Sequence, residues 1–288
     1  MAGLEAAAAI PAVQRQAARQ AAFFDLDKTV IAKSSTLALG RPLYKEGLIS
    51  PAVVVKSLYG QLILQLLGAN AGRMERWRVS LLELTRGWDA ERVQRVIREV
   101  LAETIEPLIY AEALDLFDDH RRAGRDLYLV SSSGIEVVKP LAEYLGVAHV
   151  LATRPGIDAD GRYDGTLDFY CHGENKAVAI RGEAEARGID LDASYAYSDS
   201  VTDLPMLTAV GHPVVVNPDR ALRRIGRQRG WDCSNFVRPA ALRGRLATIR
   251  RPARDLVAGA GAMGAVALAG WCAYQRRRPH RLVPEGVR

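Results

Sequence analysis

Cysteine is scarce in this chain. Cys171, Cys233 and Cys272 are the only three in 288 residues, an odd number with no metal-ligand spacing, which excludes a disulfide framework and makes a reducing, cytosolic compartment the expectation. The five histidines, His120, His149, His172, His212 and His280, form no ligand pair and carry no assignment. A basic excess is missing from most of the chain. From Arg238 onward eleven arginines face two acids, a local charge of +9, so the overall +6 leaves −3 for everything before it. That distribution argues against nucleic acid as a partner and favours contact between the tail and an anionic membrane surface. The first twenty residues lack the positive charge of an export signal, carrying Glu5 and only a short apolar run. Residues 1–20 read as an alanine-rich leader.

Charge is also absent from Leu256 to Tyr274, nineteen residues flanked by Arg250, Arg251 and Arg254 on one side and Arg276, Arg277 and Arg278 on the other. As a helix this stretch would reach about 28 Å, close to the hydrocarbon thickness of a bilayer. A transmembrane helix over 256–274 is expected, between a basic linker (238–255) and a basic tail (275–288). Arginine on both sides leaves its orientation open. The plainer alternative is a hydrophobic helix docked on the domain, which the many Gly and Ala make less apt.

What the chain does have is 49% hydrophobic residues, enough for a sizeable core. Short apolar runs end at Asp25, at Ser131 in "LYLVSSSG" and at Asp199 in "SYAYSDS", and "PVVVNP" supplies a fourth. Helical patterns lie between them. Asp89 is placed to cap a helix carrying Val93, Val96, Ile97, Val100 and Leu101 at 3.6-residue spacing. A second helix runs from about Tyr110 to Ala123, and others stop at Gly146 and Gly188. "IDADGRYDGTL" predicts a hairpin turning at Asp160-Gly161. Alternating strands and helices predict an α/β, doubly wound parallel sheet. The stretch 32–107 is far longer than one crossover needs and reads as an inserted helical cap, leaving 21–31 and 108–237 as the core.

In such sheets ligands bind beyond the carboxyl ends of the strands. Asp25, Asp27, Ser131 and Asp199, spread along the chain, all fall at predicted strand ends. Two carboxylates one residue apart repel, so Asp25 and Asp27 call for a cation. With Asp199 and Asp203 they make a hard, oxygen-rich set suited to Mg²⁺. Lys176, at a helix start, can keep one carboxylate ionised and meet a bound anion. Ser131, Ser132 and the N–H groups before Gly134 can cradle phosphate oxygens.

Four motifs in order resemble the haloacid dehalogenase superfamily of phosphatases, in the helical-cap branch that includes the phosphoserine phosphatases. They are "DLDKT", with Thr29 as its last residue, "LYLVSS", Lys176 and "SDSVTDLPML". The resemblance covers roughly Ala21 to Trp231. It implies a haloacid dehalogenase-like Rossmann core in which Asp25 is the nucleophile that becomes an aspartyl-phosphate. Asp27 would be the acid and base, and Ser131 and Lys176 would stabilise the phosphoryl oxygens. The same resemblance implies Mg²⁺ held by Asp25, the Asp27 carbonyl and Asp199, with Asp203 in support.

The family's substrate-ammonium glutamate falls on Ser34 here, which counts against phosphoserine. Arg78, in "RWRVSLLEL", is similar in place to the cap arginine for a substrate carboxylate, though a solvated face explains it equally well. Thr202 stands where many relatives have asparagine. The expectation is a Mg²⁺-dependent phosphomonoester hydrolase acting on a small phosphorylated substrate, its catalytic domain cytoplasmic and membrane-anchored. The rival, from another class, is a membrane-tethered binding or scaffold protein on a retained phosphatase fold. Within the enzyme class, a lipid-phosphate phosphatase or a phosphotransferase stays open.

Overall fold

The computed structural model describes residues 19–47, 79–80 and 82–240. Two compact units divide the chain, Met1–Arg245 and Leu246–Arg288, and the second lies outside the described residues, as do the stretch 256–274 and Arg78. Among the described residues no helix is long and apolar enough to cross a membrane.

Strand β1 (Ala21–Asp25) is the axis of the sheet. Its residues Ala21, Ala22, Phe23 and Phe24 have no polar side chain, and all are fully buried, because helices cover both faces. Phe24 stacks on Tyr197 at 4.3 Å between ring centroids and meets Phe117 edge-on, while Phe23 packs against Tyr128 on the other face. Among the described residues the sheet has seven strands: β2 (Asp126–Gly134), β3 (His149–Ile157), β4 (Tyr163–Phe169), β5 (Tyr195–Ser198), β6 (His212–Val216) and β7 (Asp232–Ser234) complete it. The spatial order is β4-β3-β2-β1-β5-β6-β7, and only the β3–β4 pair is antiparallel. That pair is the expected hairpin, with Gly161 in the left-handed conformation its turn requires.

Ser131 is not at the end of β2, as the apolar run suggested. The strand continues to Gly134, and its register slips there: Ser131 faces Ala152 of β3 while Gly134 faces the next residue, Thr153. Ser132 and Ser133 are the excess. A bulge of this kind bends the backbone outward just where the sheet's carboxyl edge begins.

The helices are α1 (Ser35–Lys45), α2 (Ala90–Thr104), α3 (Ala111–Arg122), α4 (Ile135–Leu145), α5 (Glu174–Arg187), the short α6 (Leu204–Leu207) and α7 (Arg220–Arg229). Asp89 caps α2 by accepting the Arg92 N–H at 2.7 Å, and Val93, Val96, Ile97 and Leu101 form its buried stripe. Pro140 sits inside α4 without ending it. Gly146 and Gly188 close α4 and α5 in the left-handed conformation.

The insertion between β1 and α3 leaves and re-enters the core at one place. The Ala32 N–H donates to Leu108 O at 2.7 Å and the Tyr110 N–H to Val30 O at 3.0 Å. The last described segment lies beside them: the Ala111 N–H donates to Arg238 O and the Ala240 N–H to Ile109 O. Glu112 fixes this exit by accepting the N–H groups of Val237 and Arg238 at 3.1 Å. At the far end of the insertion, the Gly87 and Tyr163 backbones bond to each other's neighbourhood, Gly87 N–H to Tyr163 O and Tyr163 N–H to Trp88 O, tying the insertion to the hairpin.

Candidate active site

At the centre of the sheet, the ends of the neighbouring strands β1 and β5 meet at one spot. β1 ends in Asp25, whose side chain is held by Lys176 from the first turn of α5: Nζ donates to Asp25 Oδ1 at 2.6 Å. The same ammonium donates to Asp203 Oδ2 at 2.7 Å. Ser198, the last residue of β5, also donates to Asp203 Oδ2, at 2.7 Å. Lys176, Asp25 and Asp203 are 2%, 6% and 3% exposed, so this is a buried cation between two buried anions. Asp203 was expected as a supporting acid of the metal set. Its Oδ2 accepts from Lys176 and Ser198, a bond pattern that aims the lysine at Asp25.

Burial alone would strip the proton from Lys176, but the carboxylates of Asp25 and Asp203 outweigh it and hold the ammonium charged, above the usual lysine range. Asp25 is pushed well above the usual carboxylate range, first by burial, with Lys176 opposing and Asp203 and Asp199 adding repulsion. Asp199, just past β5, is pushed up to about 6 by burial, against the pull of Lys28. Lys28 lies between Asp27 and Thr29 with φ +63°, in the left-handed region that a lysine seldom adopts.

Asp27 points to a second group of partners. Its Oδ1 accepts the Ser35 N–H at 2.8 Å, and Ser133 Oγ donates to Oδ2 at 3.5 Å. Ser35 and Ser133 hydroxyls bond each other at 2.9 Å. Burial raises the Asp27 pKa despite the Ser35 contacts, which suits a carboxyl that must carry a proton. Ser131 is buried, its Oγ accepting the Ser133 N–H at 3.1 Å, so it shapes the bulge; Ser132 is exposed, and its carbonyl accepts from Thr153. Thr29 Oγ1 is fully buried with no hydrogen-bond partner among the described residues, a group whose desolvation nothing yet offsets. Ser34 is the N-cap of α1, with no side-chain cap bond, and Thr202 is exposed with its hydroxyl on Ser200.

Among the described residues no three His, Cys, Asp or Glu side chains converge as a metal cage. The donor set is Asp25, Asp199 and the Asp27 main-chain carbonyl, with Asp203 joined to Asp25 through Lys176. It is all oxygen, and burial raises the pKa of both Asp25 and Asp199 despite the pull of Lys176 and Lys28, so the residues fit a hard divalent cation such as Mg²⁺.

Sequence reading missed Ser35, Ser133, Ser198 and Asp219. Asp219 Oδ2 accepts the Val201 N–H and its own N–H donates to Asp199 O, both at 2.8 Å, so it braces the acidic loop. The "SST" and "SSS" strings around Ser35 and Ser133 were the available signal, since hydroxyls cluster at helix starts.

The family model described as haloacid dehalogenase-like hydrolase matches residues 22–208. A protein of Mycobacterium tuberculosis named a probable phosphatase is 49% identical over 88% of this chain and 86% of its own. One named phosphoserine phosphatase SerB1, from the same organism, is 34% identical over 75% of this chain and 70% of its own. The crystal structure of a Bordetella pertussis protein of unknown function superposes with a TM-score of 0.67 at 28% identity, over 76% of this chain and 99% of that one.

Proposed function

This chain belongs to the haloacid dehalogenase-like hydrolases, and from that premise we propose that it is a Mg²⁺-dependent phosphomonoester hydrolase working through an aspartyl-phosphate on Asp25. The observation that carries the reading is the Lys176 ammonium bonded to both Asp25 and Asp203 at the end of β1. A nucleophilic carboxylate needs a neighbour that keeps it ionised and then shares the charge of the incoming phosphoryl group.

Asp25 attacks phosphorus while the bond to the leaving oxygen breaks, and Asp27 gives that oxygen its proton. Asp27 then takes a proton from water, which attacks the aspartyl-phosphate and frees inorganic phosphate. The Ser35 N–H and the Ser133 hydroxyl hold Asp27 in place through both transfers. Lys176 and Ser131 face the phosphoryl oxygens, and the Thr29 and Ser132 hydroxyls complete the phosphate cradle. Asp25, Asp199 and the Asp27 carbonyl would hold Mg²⁺, which when bound supplies positive charge against the phosphoryl oxygens.

The substrate class is a small phosphomonoester. The M. tuberculosis relative's name supports a phosphoserine-like molecule, while Ser34 offers no carboxylate for an ammonium group. Arg78 is the proposed cap contact for a substrate carboxylate. Tethering at the C-terminus rests on the uncharged stretch 256–274, and release of the full chain from membranes by carbonate would remove it. The decisive assay for the chemistry is phosphate release from an aryl phosphate with and without Mg²⁺. Turnover that survives Asp25→Asn would overturn the mechanism.

A further inference from the structure

Helix α7 carries five arginines in ten residues, Arg220, Arg223, Arg224, Arg227 and Arg229, and no acid. All five are exposed. None of the ion pairs among the described residues involves this helix. The acid at its N-cap, Asp219, is spent on the Val201 and Leu222 N–H groups. On other helices Arg121, Arg122 and Arg187 each meet a carboxylate, as does Arg238. Only Leu222 and Gly226 of α7 are buried, so packing does not explain the arginines.

Beside them is a concavity. A cavity of about 370 Å³ opens between α7 and β7, walled by Arg223, Arg227, Trp231 and Asn235. The Arg229 guanidinium lies over the Trp231 ring at 5.1 Å, and Arg223 spends one N–H on Pro218 O at 3.3 Å. Forked guanidinium donors beside an amide and a half-buried indole match a phosphate group attached to apolar matter: the forks take the oxygens and the ring lies at the boundary.

We propose that the arginine face of α7, with the cavity it shares with β7, docks the catalytic domain on an anionic phospholipid surface. Lipid is favoured over nucleic acid by the rest of the chain. Residues before Arg238 sum to −3, so α7, about 15 Å long, is a local patch and not part of a track along a phosphate backbone. Beyond Val237 the sequence carries a charge of +9 and a run of nineteen uncharged residues. Docking by α7 does not require that segment to span a bilayer.

The test is flotation of the full-length protein with phosphatidylcholine vesicles and with vesicles that also carry phosphatidylglycerol, at low and high salt. Wild type is expected to bind the anionic vesicles at least about tenfold more tightly, with salt weakening the difference. The Arg223→Glu/Arg227→Glu variant should lose most of that increment while retaining aryl-phosphate turnover, which reports an intact fold. Arg223→Gln/Arg227→Gln should lose less. Equal flotation of the charge-reversed protein would overturn the proposal. So would an oligonucleotide that displaces wild type from the vesicles at matched phosphate concentration. Salt-resistant flotation indifferent to phosphatidylglycerol would also remove the α7 site, yet leave C-terminal tethering standing.

Discussion

Two groups of charges sit at opposite ends of one structural brace, Asp219. On its inner side, the buried Lys176 lies between the buried Asp25 and Asp203 at hydrogen-bond distance, 2.6 and 2.7 Å. On its outer side, the arginines of α7 are exposed and have no carboxylate among the described residues. The difference follows from solvent. A buried charge without a partner costs several kcal/mol, so the fold must supply one. An exposed charge costs almost nothing, so the fold is indifferent and the partner can be another molecule. Where the chain had to pair its charges, the pairing defines the chemistry; where it left them open, the opening defines a surface.

Breaking the inner group should have the largest effects. Asp25→Asn is expected to lower kcat on an aryl phosphate by about 10³-fold or more, because the nucleophile itself is lost. Lys176→Met leaves Asp25 and Asp203 facing each other in the interior. It should cost about 3–5 kcal/mol in urea unfolding, and Lys176→Met/Asp203→Asn should recover part of that loss. Recovery of none of it would mean that the pair is not coupled as the distances indicate.

A subtler probe is pH. Because the Asp199 pKa is raised from 3.8 to about 6, the native state holds more protons there than the unfolded state across that interval. Its contribution to stability therefore falls as pH rises from about 4 to 6. In the absence of divalent ions, the melting temperature of wild type relative to Asp199→Asn should drop over the same interval, and Mg²⁺ should restore it above pH 6. A difference that stays flat would place Asp199 in solvent.

At the joint between the two groups, Asp219→Ala removes an N-cap and orphans the Val201 N–H, a loss of about 1–2 kcal/mol measurable by chemical unfolding. The smallest effect belongs to the outer group. Arg224→Ala should leave both unfolding and turnover unchanged, since nothing in the fold depends on it.

The inner group was legible in the sequence because buried strands announce their ends: an apolar run such as "AAFF" stopping at Asp25 fixes both the strand and the place of its first polar residue. Lys176 was legible only through its rank among four motifs, since one lysine at a helix start has no signature of its own. The hydroxyls of Ser35, Ser133 and Ser198 were not legible, because serine is common at turns and its partners here are 98, 106 or 5 residues away. The bulge in β2 was hidden for a related reason: Ser132 and Ser133 are surplus only relative to the register of β3. β3 itself, "HVLATRPGI", mixes Arg154 and Pro155 with apolar residues, and β7 has only three residues, so neither shows the periodicity that marks a strand. The outer group was visible as composition, but its exposure and lack of partners needed coordinates.

The crossing at Ile31 and Ile109 bears on how such proteins diversify. The seventy-odd residues between these positions start and finish as antiparallel neighbours, hydrogen-bonded through Ala32, Leu108, Val30 and Tyr110. Closing so long a loop adds little entropy beyond closing a short one. The inserted segment can thus change in length or sequence beyond this single seam without any strand of the sheet changing its neighbours.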